Sequence, residues 1–115
     1  MEVKQRSYLY ALEIIKFIDS IDKKDLSTQI ITRQLLRSAT SVGANIIEAQ
    51  AGSTKKDFAN FFGYALKSAN ESVFWLNLLK DSGKANFTKT DALARETKEV
   101  ANILGASILT LRNKR

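Results

Sequence analysis

The chain contains no histidine and no cysteine. Imidazole is the usual proton carrier near neutral pH, and thiolate is both a nucleophile and a metal ligand. His-based general acid–base catalysis, Ser–His triads, cysteine nucleophiles, disulfides and His or thiolate metal sites are therefore excluded. Carboxylates remain, and Glu48 and Glu71 are the two that could be imagined as an acid–base pair. On a helical wheel Glu48 falls on a polar face, whereas Glu71 falls beside Tyr64 and Trp75. No nucleophile or metal set accompanies either, so both read as structural carboxylates. A carboxylate among aromatic rings needs a cation or backbone donors, and Arg37 is the candidate for Glu71. Neither G-x-x-x-x-G-K-[ST] nor G-x-G-x-x-G occurs. This inventory points to a protein that is not an enzyme, carries no cofactor or metal, and acts by binding.

Phosphate contact is the chemistry still open. Lys and Arg number 18 against 12 Asp and Glu, for a net charge of +6. Such an excess attracts polyanions, with RNA or DNA the first partners to consider. Arg33 and Arg37 share one helix face at i,i+4 spacing. Lys55 and Lys56 start one helical segment, and Arg112, Lys114 and Arg115 end another. If helices alternate in direction, these last five cations meet at one end of the molecule. The alternative is an ordinary solvated surface. No base-specific motif is visible, so binding would be through phosphates.

The elements that must position these groups are helices. There are no prolines and five glycines in 115 residues, so little interrupts a helix and few turn signals favour a sheet. Hydrophobic residues at 44% suit one globular domain spanning 1–115. The 3–4 residue spacing of apolar positions predicts helices near 3–20, 28–51, 54–81 and 89–112. Short connections make them an all-α, antiparallel, up-down-up-down four-helix bundle. Gly52 is expected just past the second helix, and Thr54 with Asp57 approximates a capping box for the third. Thr88 with Asp91 does the same for the fourth. Gly43 inside a helix implies close packing against a neighbour, or else a surface that a partner approaches. No apolar run nears the roughly 18 residues of a membrane span, and residues 1–16 carry no secretion signal, so a cytoplasmic location is expected with no membrane partner.

Two helices carry more apolar surface than one core can use. The first has a stripe of Tyr8, Ala11, Leu12 and Ile15, expected to face the core, and a second of Tyr10, Ile14, Phe17 and Ile21 roughly opposite. The third has a core stripe of Phe58, Phe61, Phe62, Ala65, Leu66, Ala69, Val73 and Leu76, and becomes apolar all round at 73–79. Tyr10, Ile14, Phe17, Tyr64, Phe74, Trp75 and Leu78, with Glu71 among them, are accordingly expected at a subunit interface.

The run Leu35-Leu36-Arg37-Ser38-Ala39-Thr40-Ser41-Val42-Gly43-Ala44-Asn45-Ile46-Ile47-Glu48-Ala49 resembles the signature of the four-helix bundle family of ribosomal RNA intervening-sequence proteins. Lys56-Asp57-Phe58, Ala65-Leu66-Lys67-Ser68-Ala69-Asn70-Glu71-Ser72 and Trp75-Leu76 are similar to its third helix. Ser7-Tyr8, Tyr10-Ala11, Ile103-Leu104 and Ser107-Ile108-Leu109-Thr110 extend the resemblance over nearly the whole chain. The resemblance implies a ring-shaped homopentamer. Related accessory proteins of diversity-generating retroelements assemble in this way and bind nucleic acid and a reverse transcriptase. It brings no catalytic residues.

Overall fold

The computed structural model describes residues 1–52 and 54–113. Four helices follow one another: α1 (Val3–Asp19), α2 (Leu26–Ala51), α3 (Lys55–Asp81) and α4 (Phe87–Asn113). Each packs against its sequence neighbours, and α4 closes back on α1, while α1 and α3 occupy one diagonal. The result is an antiparallel bundle with extents of 51 × 22 × 20 Å.

The helix ends have local causes. Asp25 caps α2 by accepting from the Thr28 N–H at 3.2 Å. Thr54 caps α3 by accepting from the Asp57 N–H at 3.0 Å. The cap of α4 is not Thr88: that helix begins two residues earlier than expected, and the Asn86 side chain accepts from the Lys89 N–H at 2.9 Å. Gly52 is the C-cap of α2 in extended conformation, φ −68° and ψ 149°, and not a left-handed residue beyond it. The left-handed turn lies after α3, at Gly83 with φ +70°. There Gly83 N–H donates to Lys80 C=O at 3.2 Å and Lys84 N–H to Leu79 C=O at 3.0 Å, which satisfies two carbonyls at the helix end.

The four helices differ in reach. With 17 residues, α1 is much shorter than its partners of 26 and 27. Of the two apolar clusters that form the core, one is built on Ile14, Phe17, Leu35, Leu76 and Leu79 and draws on all four helices. The other centres on Val42, Ile46, Phe62, Val100 and Leu104, and only Val3 reaches it from α1. One half of the molecule is thus a four-helix bundle and the other nearly a three-helix one.

The orientation of α1 reverses the expectation from its stripes. Tyr10, Ile14 and Phe17 are core residues with relative exposures of 3%, 0% and 6%, so none is available to a subunit interface. Tyr8, Leu12 and Ile15 are exposed in their place. The cause is that the buried stripe runs on through Ile18 and Ile21 to the helix end and beyond, whereas the outer stripe is continued by the exposed Asp19. The Tyr10 hydroxyl also finds the Thr97 hydroxyl at 2.7 Å, which removes the cost of burying it.

Candidate nucleic-acid and subunit interfaces

Antiparallel order places the end of α2, the start of α3 and the end of α4 together. Lys55, Lys56 and Arg112 are exposed at that end; Lys114 and Arg115 lie outside the described residues. Arg33 and Arg37 are exposed on α2 as a separate pair in mid-helix. Among the described residues, no carboxylate lies within ion-pair distance of Lys56, Arg112, Arg33 or Arg37. Lys4, Lys67, Lys89 and Lys98 are likewise without an ion pair among the described residues, whereas several other cations are engaged. Arg6 on α1 holds Glu96 on α4 through two hydrogen bonds of 2.8 and 2.7 Å and also reaches Glu99, and these carboxylates, Glu96 foremost, push its guanidinium pKa up. Lys80 pairs with Asp91 at 3.3 Å and Lys84 with Asp25 at 3.0 Å.

The outer face of α3 keeps most of its expected interface residues exposed. Tyr64, Phe74 and Leu78 project from the bundle. Trp75 is only half-buried and packs on the lower apolar cluster, so it divides between core and surface. Its indole N–H donates to the Glu71 carboxylate at 3.0 Å, one turn earlier. Trp75 thus supplies the donor for which Arg37 was the candidate. Phe74 stands edge-on to Trp75 with ring centroids 4.9 Å apart, and Tyr64 edge-on to Phe61 at 5.8 Å. These ring pairs stiffen an exposed aromatic face.

A second exposed apolar surface was hidden from sequence reading by the inversion of α1. A groove of about 610 Å³ runs between α1 and α2, with Tyr8, Ala11, Thr40, Gly43, Ala44 and Ile47 among its lining residues. Its floor exists because the two helices approach closely at Gly43, where an added Cβ would lie 3.3 Å from Ser7 Oγ. Close packing was therefore the right reading of Gly43, and the same small residues also open the groove. Leu26 and Ile30, likewise exposed on α2, carried no signal beyond apolarity on a helix face otherwise polar.

Among the described residues no three or more acidic side chains cluster as a metal site, and no helix is long and apolar enough to cross a membrane. The geometry offers exposed cations and two apolar faces.

Comparison with known proteins agrees with this architecture. A family model described as 23S rRNA-intervening sequence protein matches residues 1–106. A crystal structure at 1.70 Å of a protein of unknown function from the S23 ribosomal protein family of Bacteroides thetaiotaomicron VPI-5482 is similar, with a TM-score of 0.83 and 33% identity over 93% of this chain and 98% of that one. No curated protein matches the chain significantly.

Proposed function

Because the chain belongs to the 23S rRNA-intervening sequence protein family, we propose that it is a non-enzymatic homo-oligomer that binds RNA or DNA through phosphate contacts. The observation that carries the reading is the set of exposed cations, of which Lys56, Arg112, Arg33 and Arg37 have no ion pair among the described residues. Lys56 and Arg112 cluster at one end with Lys55, and Arg33 and Arg37 stand on α2. Cations not held by an ion pair are available to exchange condensed counterions for phosphates. With no base-reading motif present, binding would be indifferent to sequence.

Self-association rests on the exposed apolar faces. Tyr64, Phe74 and Leu78 on α3 and Tyr8, Leu12 and Ile15 on α1 are more than scattered surface residues. Five subunits is the count that the family resemblance implies. The same faces also support a second reading, in which the protein is a protein-interaction module and its charge serves only solubility.

A salt titration separates the two readings. Phosphate binding requires affinity for RNA or duplex DNA to fall as salt rises. Reversing the charge at Lys55, Lys56, Arg112 and Lys114 should weaken binding and make the slope shallower by about 0.9 for each lost phosphate contact on duplex DNA. A slope near zero in the unmodified protein rejects nucleic-acid binding. A steep slope that survives all four changes rejects the end patch and transfers the site to Arg33 and Arg37.

A further inference from the structure

The core is crossed at its waist by hydroxyl groups. Ser38 on α2 and Ser72 on α3 place their Oγ atoms 2.8 Å apart. Tyr10 on α1 and Thr97 on α4 bring their hydroxyl oxygens to 2.7 Å. The first pair joins α2 to α3 and the second α1 to α4, so the four side chains involve all four helices. All four are buried. They occupy the boundary between the two apolar clusters: Ser38 precedes Ala39 and Val42, Ser72 lies between Ala69 and Leu76, and Thr97 between Ala94 and Val100.

Other buried hydroxyls behave differently. Ser7 donates to Lys4 C=O, Thr32 to Thr28 C=O and Thr90 to Asn86 C=O, each within its own helix or its cap. Such bonds survive any sliding of one helix past another. The bonds of the waist do not, since a one-turn slip of about 5.4 Å carries each hydroxyl beyond its partner. Ser38, Ser72 and Thr97 also contact the carbonyls of Leu35, Ser68 and Leu93 in their own helices, at 3.3, 2.8 and 2.6 Å. These three groups therefore keep a partner when the cross-helix bond is lost, whereas the Tyr10 hydroxyl, held by Thr97, does not.

We propose that the Tyr10–Ser72–Ser38–Thr97 layer is a register lock, which selects one alignment of the four helices from several that would bury apolar surface nearly as well. The need for it lies in the clusters on either side. Their small residues (Ala39, Ala65, Ala69, Ala94 and Ala101) recur along the bundle and present similar shapes at successive turns. Apolar packing is non-directional and discriminates weakly between such alignments, whereas a slip that leaves the buried Tyr10 hydroxyl opposite a methyl group in place of Thr97 is penalised. Buried polar groups are known to fix register in helical assemblies. By setting register, the layer also sets the height of Arg112 on α4 relative to Lys56 on α3.

The test replaces the layer and reads alignment directly. A variant with Tyr10→Phe, Ser38→Ala, Ser72→Ala and Thr97→Val keeps the shapes and removes the hydroxyls. Because the chain has no cysteine, engineered pairs report position without background. Glu13→Cys with Ala92→Cys samples the observed alignment, since both line one groove between α1 and α4. Glu13→Cys with Thr88→Cys samples the alignment one turn away. With the layer intact only the first pair should cross-link. Without it both should, and the single set of amide NMR signals should be lost while helical circular dichroism is retained. A four-fold variant that keeps one signal set and cross-links only the first pair overturns the lock, and leaves register to the Arg6 ion pairs, which the variant retains. If the four-fold variant fails to fold, Tyr10→Phe with Thr97→Val is read in the same way. Cross-linking of the second pair supports the lock and its absence overturns it.

Discussion

Asp25 does several things with one carboxylate. It accepts from the Ser27 hydroxyl at 2.8 Å, from the Thr28 N–H at 3.2 Å and hydroxyl at 2.8 Å, and pairs with Lys84 at 3.0 Å. The Ser27 and Thr28 hydroxyls, Lys84 and the Thr28 N–H together hold its carboxyl well below the usual carboxylate range. The charged form is thus favoured in the folded state. That contribution is complete above the unfolded pKa of about 4 and declines as the pH falls further below it. Asp25→Ala should lower the thermal midpoint at neutral pH and make its decline in acid shallower. A midpoint-against-pH curve parallel to the unmodified one would remove Asp25 from the acid response. This cap went unread in the sequence because the apolar pattern there begins at Ile31, which drew the helix start toward Ser27 or Thr28. The residue itself was an ordinary N-cap signal, an Asp three before a Thr at the head of a helix. Thr54 was legible for the same kind of reason, and its bond to Asp57 is as expected.

Among whole elements, the helices and their order were legible, since a proline-free chain with 3–4 residue spacing offers little else. The face of α1 was not. Its two stripes have the same period and comparable apolarity, and periodicity cannot say which one is inside. What decided it was chemistry across helices: a phenol that meets Thr97, and a serine, Ser7, small enough to sit on Gly43. Neither relation is visible along one helix. The exchange also explains why only the α3 part of the expected interface is exposed, since the α1 residues turned in. Burial pushes the Tyr10 pKa up to about 12, so the phenol stays neutral in the core throughout the ordinary pH range. The α1–α2 contact makes Gly43 a sharp probe. A Cβ there already lies within 3.3 Å of Ser7 Oγ, and a longer side chain has to push α1 away. Gly43→Leu should destabilise the fold by about 1–3 kcal/mol despite its better helix propensity, as overpacking does. Chemical denaturation measures this, and a Gly43→Leu protein as stable as the parent would show that α1 yields without cost.

At the scale of the whole molecule, the position of the two apolar faces constrains how copies can meet. Because α1 and α3 lie on a diagonal and make no direct backbone contact, their outer surfaces point to different sides. One is a groove between α1 and α2, and the other a ridge of Tyr64, Phe74 and Leu78 on α3. A two-fold dimer mates one patch with itself, leaving the other wet. Mating ridge to groove uses both faces on every copy and repeats head to tail, which closes into a ring when the rotation permits. Each large side chain buried contributes roughly 1.5–3 kcal/mol, against an association cost of roughly 4–15 kcal/mol, so several residues per face are required and the loss of a central one should suffice to break the contact. Tyr8→Glu should disable the groove and Phe74→Glu the ridge, each giving a folded monomer by sedimentation. Phe74 is preferable to Trp75 for this purpose, since Trp75 also packs on the core. Mixed together, the two variants retain one good ridge and one good groove between them. They should form a one-to-one dimer that grows no further. If instead either variant alone forms a dimer, that copy is using one face against itself. If the mixture stays monomeric at high micromolar concentration, ridge and groove are not partners, and head-to-tail assembly through these faces is wrong.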